Sequence, residues 1–349
     1  MIPSEAHRRN PRQKNCDIFT SVKRWQKILL LLLGVLVFSA LGLPYLIPLP
    51  PQENLDPQAL APAKGRFITV NGVRTFVQEF GPDEGEPVVL VHGFGASTYT
   101  WRGNAPALAE AGYRVLALDL VGYGLADKRF DLDFSHPAQA DFVAAVMEAV
   151  GIERATLVGH SMGGNVIAHL AQRRPECVAA LVFVDGAVRE ANSGGGAILG
   201  LPVQIGSLAE FPPFQRWGRI ALLYGLTRER LAATQLTAYY RKEIVTPEVE
   251  EGYLQVQKIK DWDLALLGVL RDSGRSALAQ PLSIITAPTL IIWGEKDTWV
   301  PLTRGQTLHA ALPQSELIII PNTGHLPMEE DAAVFNSAVL EWLGKLKTD

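Results

Sequence analysis

From residue 66 onward, apolar residues fall into short unbroken runs that alternate with stretches of three- and four-residue spacing. "PVVLVHG", "RVLALDL", "ATLVGHS", "ALVFVDG", "PTLIIWG" and "ELIIIPN" are β-branched and leucine runs without polar alternation, as expected for strands covered on both faces of a parallel sheet. "ALAEAGY", "AQADFVAAVMEAVG", "GGNVIAHLAQRRP", "TRGQTLHAALP" and "DAAVFNSAVLEWLGKL" put their apolar residues on one helical stripe, with Gly or Pro at several ends. "RFITVNG" and "VRTFVQEFG" are separated by Asn71-Gly72, a dipeptide that accepts positive φ and so predicts a hairpin between the first two strands. This order of elements predicts a mainly parallel, helix-covered α/β sheet.

Two stretches depart from that rhythm. Between "VFVDGA" and "PTLIIWG" lies an interval of roughly a hundred residues, far more than one crossover helix needs. It opens with the glycine-rich "ANSGGGAILG", expected to be mobile, and continues with Phe211, Phe214, Trp217, Tyr224, Tyr239, Tyr240, Tyr253 and Trp262 in helical-looking sequence. The interval predicts a mostly helical cap at about 188–280 over the sheet edge, its aromatics serving chiefly as core.

The second departure is the N-terminus. No charge occurs from Ile28 to Gln52, and "ILLLLLGVLVFSALGLPYLIPLP" is close to the roughly 20 residues a membrane-spanning helix requires. Arg8, Arg9, Arg12, Lys14, Lys23, Arg24 and Lys27 precede it and no Lys or Arg follows before Lys64, which predicts a cytoplasmic N-terminus with the remainder across the membrane. The chain divides into a basic tail (1–27), a transmembrane anchor or signal segment (28–49), a proline-rich linker read as a semi-rigid stalk (50–65) and the α/β domain (66–349). A retained anchor is the preferred reading; cleavage near "SALG" would instead release a secreted protein.

Composition narrows the class. A 48% hydrophobic and 19% charged chain is globular rather than disordered, and a net charge of -4 gives no sign of a nucleic-acid surface. Cys16 and Cys177 are the only cysteines and the seven histidines are scattered singly, so no metal cluster, cystine framework or cofactor motif is expected.

Ligands of a parallel α/β sheet collect at the carboxyl ends of its strands, and four such ends carry chemistry. Gly159-His160-Ser161-Met162-Gly163 is a G-x-S-x-G pattern between a strand and a helix, where flanking glycines permit a sharp turn that lifts the Ser161 hydroxyl clear of the backbone. Serine needs a base to take its proton, and His325 in "PNTGHLPMEE", just after the last strand, is the candidate. His160, beside Ser161, is expected to point away from it. The imidazole in turn needs a carboxylate: Asp297 in "IIWGEKDTWVP" is preferred by chain order and loop position, with Asp185 at the end of "VFVDG" as a competitor. Negative charge developing on an acyl oxygen requires donors, for which the backbone N–H groups of Phe94 in "HGFGAS" and of Met162 are placed. Asp119 in "DLVGYG" reads as a turn organiser.

With "HGFGAS", "DLVGYG", "GHSMGG", "GEKD" and "GH" in this order, residues 66 to 349 resemble the α/β-hydrolase fold family. The resemblance implies a sheet of about eight strands with a cap after the sixth, Ser161 as nucleophile, Asp297 as acid, His325 as base, and Phe94 and Met162 as oxyanion donors. Dehalogenase and epoxide-hydrolase relatives carry aspartate where Ser161 stands, which favours ester, thioester or carbon-carbon bond hydrolysis. The expected activity is that of a membrane-anchored serine hydrolase acting on a small-molecule carboxylic ester with an apolar portion. A carbon-carbon hydrolase or perhydrolase using the same triad, and a catalytically silent hydrolase-fold binding protein, are the alternatives.

Overall fold

The computed structural model describes residues 12–190, 197–198, 201–202 and 208–347. Most of the glycine-rich "ANSGGGAILG" stretch therefore lies outside the described residues. The N-terminal part consists of three helices, α1 (Arg12–Leu41), α2 (Leu43–Leu46) and α3 (Pro57–Leu60), followed by the hairpin strands β1 (Arg66–Val70) and β2 (Val73–Phe80). Asn71 and Gly72 both take positive φ, 51° and 76°, closing the hairpin as expected. Then come β3 (Pro87–Val91), α4 (Ala105–Glu110), β4 (Arg114–Leu118), α5 (His136–Ala149), β5 (Ala155–His160), α6 (Met162–Arg173) and β6 (Val178–Val184). A two-stranded ribbon, β7 (Ala197–Ile198) and β8 (Leu201–Pro202), precedes the cap helices α7 (Pro212–Gly225), α8 (Arg228–Leu236), α9 (Pro247–Leu254) and α10 (Trp262–Asp272). The chain ends with β9 (Thr289–Gly294), α11 (Leu302–Ala311), β10 (Ser315–Ile320), α12 (Pro327–Glu330) and α13 (Ala332–Leu346).

Eight strands form one sheet in the order β1-β2-β4-β3-β5-β6-β9-β10. Only the pairings made by β2 are antiparallel; from β4 to β10 every neighbour is parallel. All six residues of β5 and all six of β9 are buried, which explains why their sequences read as continuous apolar runs. Two hydrophobic clusters cover the two faces: one gathers Val143, Val166 and Leu308 from α5, α6 and α11, the other Leu108, Phe335 and Trp342 from α4 and α13. The expected architecture is thus the observed one.

The cap is fastened to the sheet domain by a buried polar cluster. Glu329 Oε2 accepts from Arg102 Nη2 at 2.7 Å and from Tyr239 OH at 2.8 Å, and Oε1 accepts from Tyr253 OH. Because one carboxylate satisfies a cation and two phenols in a water-poor place, it ties cap and base together at the cost of little unpaired polarity.

The end of the apolar segment and the start of the proline-rich linker are both tied to the cap. Trp217 Nε1 donates to Ala40 O at 3.1 Å, Arg216 donates to Pro44 O at 2.7 Å and Ile47 O at 3.0 Å, and Tyr224 OH donates to Pro48 O at 2.9 Å. Further along, Gln52 Nε2 donates to Asp263 Oδ1 and Leu55 N to Lys258 O, both at 2.9 Å. Prolines there cannot donate backbone hydrogen bonds, but the carbonyls of Pro44 and Pro48 still accept them from the cap. Helix α7 is held from two sides: Gly218 and Leu222 pack toward α10, with a Cβ at Gly218 coming 2.7 Å from Leu267, while Arg216, Trp217 and Tyr224 hold the exit of α1.

Candidate active site

Strand β5 delivers Ser161 into a turn that no ordinary residue favours. Ser161 has φ 50° and ψ -116°, a conformation that costs on the order of 1–3 kcal/mol and persists only where the surroundings enforce it. The enforcement comes from glycines: a Cβ at Gly163 would lie 2.4 Å from Val91 O, and one at Gly159 would lie 2.5 Å from Gly163 O. Helix α6 can therefore start directly against the end of β3. Met162 opens that helix, where the first N–H groups have no intrahelical acceptor.

His325 and Asp297 meet from adjacent strand ends. Asp297 Oδ2 lies 2.7 Å from His325 Nδ1, while Asp297 Oδ1 accepts from Trp299 N at 2.7 Å and Val300 N at 2.9 Å. Burial pushes the Asp297 carboxyl upward, but the hydrogen bond from His325, the histidine's charge and the Val300 N–H outweigh it and leave the group below the usual carboxylate range. The carboxylate thus stays ionised and fixes which ring nitrogen of His325 carries the proton, leaving the other for proton exchange. Trp299 stacks on the His325 ring with centroids 5.4 Å apart, and its Nε1 donates to Thr237 of the cap. The backbone N–H of His325 donates to the carbonyl of Ala238, another cap residue, at 2.8 Å.

Ser161 and His325 line one cavity of about 430 Å³, together with Phe94, Tyr123, Leu226, Leu231, Leu254, Trp262, Leu266 and Val269. Of the five residues singled out in the sequence, Phe94, Ser161 and His325 line this cavity, Asp297 joins it through His325, and Met162 follows Ser161 as the first residue of α6. Of the eight cap aromatics, Tyr253 and Trp262 line this cavity, Tyr239 is buried in the core, and Phe211, Tyr224 and Tyr240 are exposed, so the expectation that these side chains serve chiefly as core holds only in part. A larger space of about 740 Å³ adjoins it along Gly95, Ala96, Tyr253 and Val256 but touches neither Ser161 nor His325.

Several supporting residues lie beyond what the sequence reading assigned. His160 is directed away from Ser161 toward the His325 loop: its Nε2 donates to His325 O at 2.8 Å and the two rings pack with centroids 4.8 Å apart. Burial, then the neighbouring His325, push the His160 imidazole down to about 3, so it serves as a neutral strut. His92 Nε2 accepts from Leu120 N at 3.0 Å while its Nδ1 faces Gly93 O at 2.8 Å, pinning the Phe94 loop to the "DLVGYG" loop. Asp119 organises the same turns by accepting from Thr98 N and Leu125 N, each at 2.7 Å, as its sequence context suggests. Glu330 holds the His325 loop, its two oxygens accepting from Gly324 N and Arg241 N at 2.7 Å. Asp185 does not replace Asp297 as the partner of His325; it is fully buried behind Asp297, and its Oδ1 accepts from Gly294 N at 3.0 Å.

A family model described as alpha/beta hydrolase fold matches residues 86–332. A 2-hydroxy-6-oxononadienedioate/2-hydroxy-6-oxononatrienedioate hydrolase of Paraburkholderia phymatum is 33% identical over 276 residues, covering 74% of this chain and 88% of its own. Among solved structures, a meta-cleavage product hydrolase superposes with a TM-score of 0.66 at 26% identity, over 81% of this chain and 98% of that one. A protein described as a membrane phospholipase A superposes with a TM-score of 0.67 at 25% identity, over 94% of this chain and all of that one.

Proposed function

Because the chain belongs to the α/β-hydrolase fold family, we propose that it is a membrane-anchored serine hydrolase cleaving a carboxylic ester with an apolar portion through an acyl-enzyme. The observation that carries this reading is the convergence of a strained, half-buried Ser161 and an Asp297-oriented His325 on one largely apolar cavity. His325 takes the Ser161 proton as Oγ attacks the ester carbonyl, and the Phe94 and Met162 amides meet the oxyanion. The imidazolium then gives the proton to the departing alcohol, leaving the acyl group on Ser161. A water, deprotonated by the same imidazole, releases the acid and restores the serine. Leu226, Leu231, Leu254 and Leu266 give the apolar portion a dry wall to lie against.

Two observations support the anchored form. Among the described residues, Lys23–Leu41 is the one helix long and apolar enough to cross a membrane, and it is unburied by the rest of the protein. The neighbour described as a membrane phospholipase A is matched over a share of this chain that requires residues ahead of Arg66. With the exit of α1 gripped by α7, the cap would sit at the membrane surface, next to a reservoir of apolar esters.

The test is a panel of esters of graded acyl length offered to the full chain, with ring-fission diketones alongside. Turnover is expected to rise with acyl length, and the protein to stay with the membrane fraction through an alkaline wash. Activity limited to short water-soluble esters would remove the apolar-substrate reading, and release of the protein by the wash would remove the anchor. The carbon-carbon reading is favoured by the named activity of the Paraburkholderia relative and of the meta-cleavage neighbour; faster cleavage of diketones than of any ester would establish it instead.

A further inference from the structure

Asp185 is a buried carboxyl that the proton transfers above leave without a role. It ends β6 with φ 45°, an uncommon conformation for a residue with a side chain, and it is wholly buried. Its backbone N–H donates to Ile292 O at 3.0 Å and its Oδ1 accepts from Gly294 N at 3.0 Å, so both ends are fixed against β9. Its Oδ2 is buried with no hydrogen-bond partner among the described residues. One carboxyl oxygen of Asp185, one of Asp297 and a ring nitrogen of His325 all lie within 4.8 Å of one another.

Two ionised carboxylates this close, away from water, repel strongly, and the cheapest relief is to keep one of them protonated. We infer that Asp185 stands as a neutral acid whose Oδ2 proton is directed at the Asp297 carboxylate, making it a positioning residue for the Asp297–His325 pair. Asp297 then has three sets of donors: Trp299 and Val300 N–H at one oxygen, His325 at the other, and Asp185 from behind. Which member of the pair holds the proton follows from those neighbours. Asp297 faces the histidine and two amides, whereas Asp185 faces Asp297 and, farther off, Glu330, with one amide to offset them. Burial first, then the Asp297 charge, push the Asp185 carboxyl well above its usual range, consistent with this division. His160 on the neighbouring strand is neutral and adds no charge.

The inference rests on the triad reading but can fail separately from it. In infrared difference spectra of the full chain at neutral pH, a protonated-carboxyl C=O stretch is expected that disappears in Asp185→Asn. Asparagine tolerates the backbone conformation and keeps a donor toward Asp297, so Asp185→Asn should lose only about threefold in kcat, against about thirtyfold for Asp185→Gly, which relieves the backbone but removes the donor. The acid limb of kcat/KM should stay in place in Asp185→Asn, since a neutral group replaces a neutral one. Were Asp185 ionised, its removal would withdraw a negative charge near the imidazole and move that limb to lower pH. Absence of the band, a displaced limb, or an Asn variant as impaired as the Gly variant would overturn the inference. A wild type inert to serine-directed reagents would instead sink the triad reading, while the infrared band would still report on the carboxyl pair.

Discussion

Ser161→Ala is expected to lower kcat by about 10⁴- to 10⁶-fold, because the nucleophile and its base act as a unit and loss of one forfeits what both contribute. The substitution removes one oxygen and leaves residue 161 in the same strained conformation, still enforced by the close packing that Gly159 and Gly163 allow. Thermal stability should accordingly move by only a few degrees, about 2–4 °C for a chain of this size. Covalent labelling by a fluorophosphonate should be seen in the wild type and lost in the variant. Ester turnover by Ser161→Ala above about a tenth of the wild-type rate would be incompatible with an acyl-enzyme on this serine.

Asp297→Asn should be nearly as damaging, lowering kcat about 10⁴-fold with little loss of stability. The reason lies in the hydrogen bonds that Asp297 already accepts. Trp299 N and Val300 N both donate to Oδ1, and an asparagine would satisfy them with its carbonyl oxygen. That orientation turns the amide NH₂ toward His325 Nδ1, which then has to be the acceptor nitrogen. The ring adopts the opposite tautomer, its proton sits on Nε2, and it can no longer take one from Ser161. Comparable activity in Asp297→Asn and wild type would move the carboxylate role to Asp185.

The centre was readable in the sequence because its parts sit at strand ends. Strands buried on both faces write themselves as apolar runs, so the residue following each run is also the residue at the sheet edge where ligands gather. That rule picks out Ser161, Asp297 and His325, of which the last two are hydrogen-bonded and Ser161 shares a cavity with His325 and Phe94. What lay hidden depends on contacts that periodicity does not encode. The Arg216 bonds to Pro44 and Ile47 join residues 172 and 169 positions apart. The strut from His160 to the His325 carbonyl and the hold of Glu330 on Arg241 join positions 165 and 89 apart, so the segments must be folded against each other before either partner can be named. Sequence adjacency suffices to turn His160 away from Ser161, but not to show that its ring then lies against the His325 loop. Asp185 was visible as a competitor for one role; only its enclosure behind Asp297 suggests another.

The hold of α7 on Ala40, Pro44, Ile47 and Pro48 changes where the enzyme begins as a cooperative unit. By composition the boundary falls near Lys64, the natural place to cut when a soluble catalytic fragment is wanted. Such a fragment would lose the acceptors for Arg216, Trp217 and Tyr224 and leave that side of the cap bare, while Asp263 would lose Gln52. Since α7 and α10 also support the wall formed by Leu226, Trp262 and Leu266, a chain shortened at Lys64 would report on a loosened substrate pocket. A fragment that keeps all of these contacts starts ahead of Ala40, inside the apolar helix.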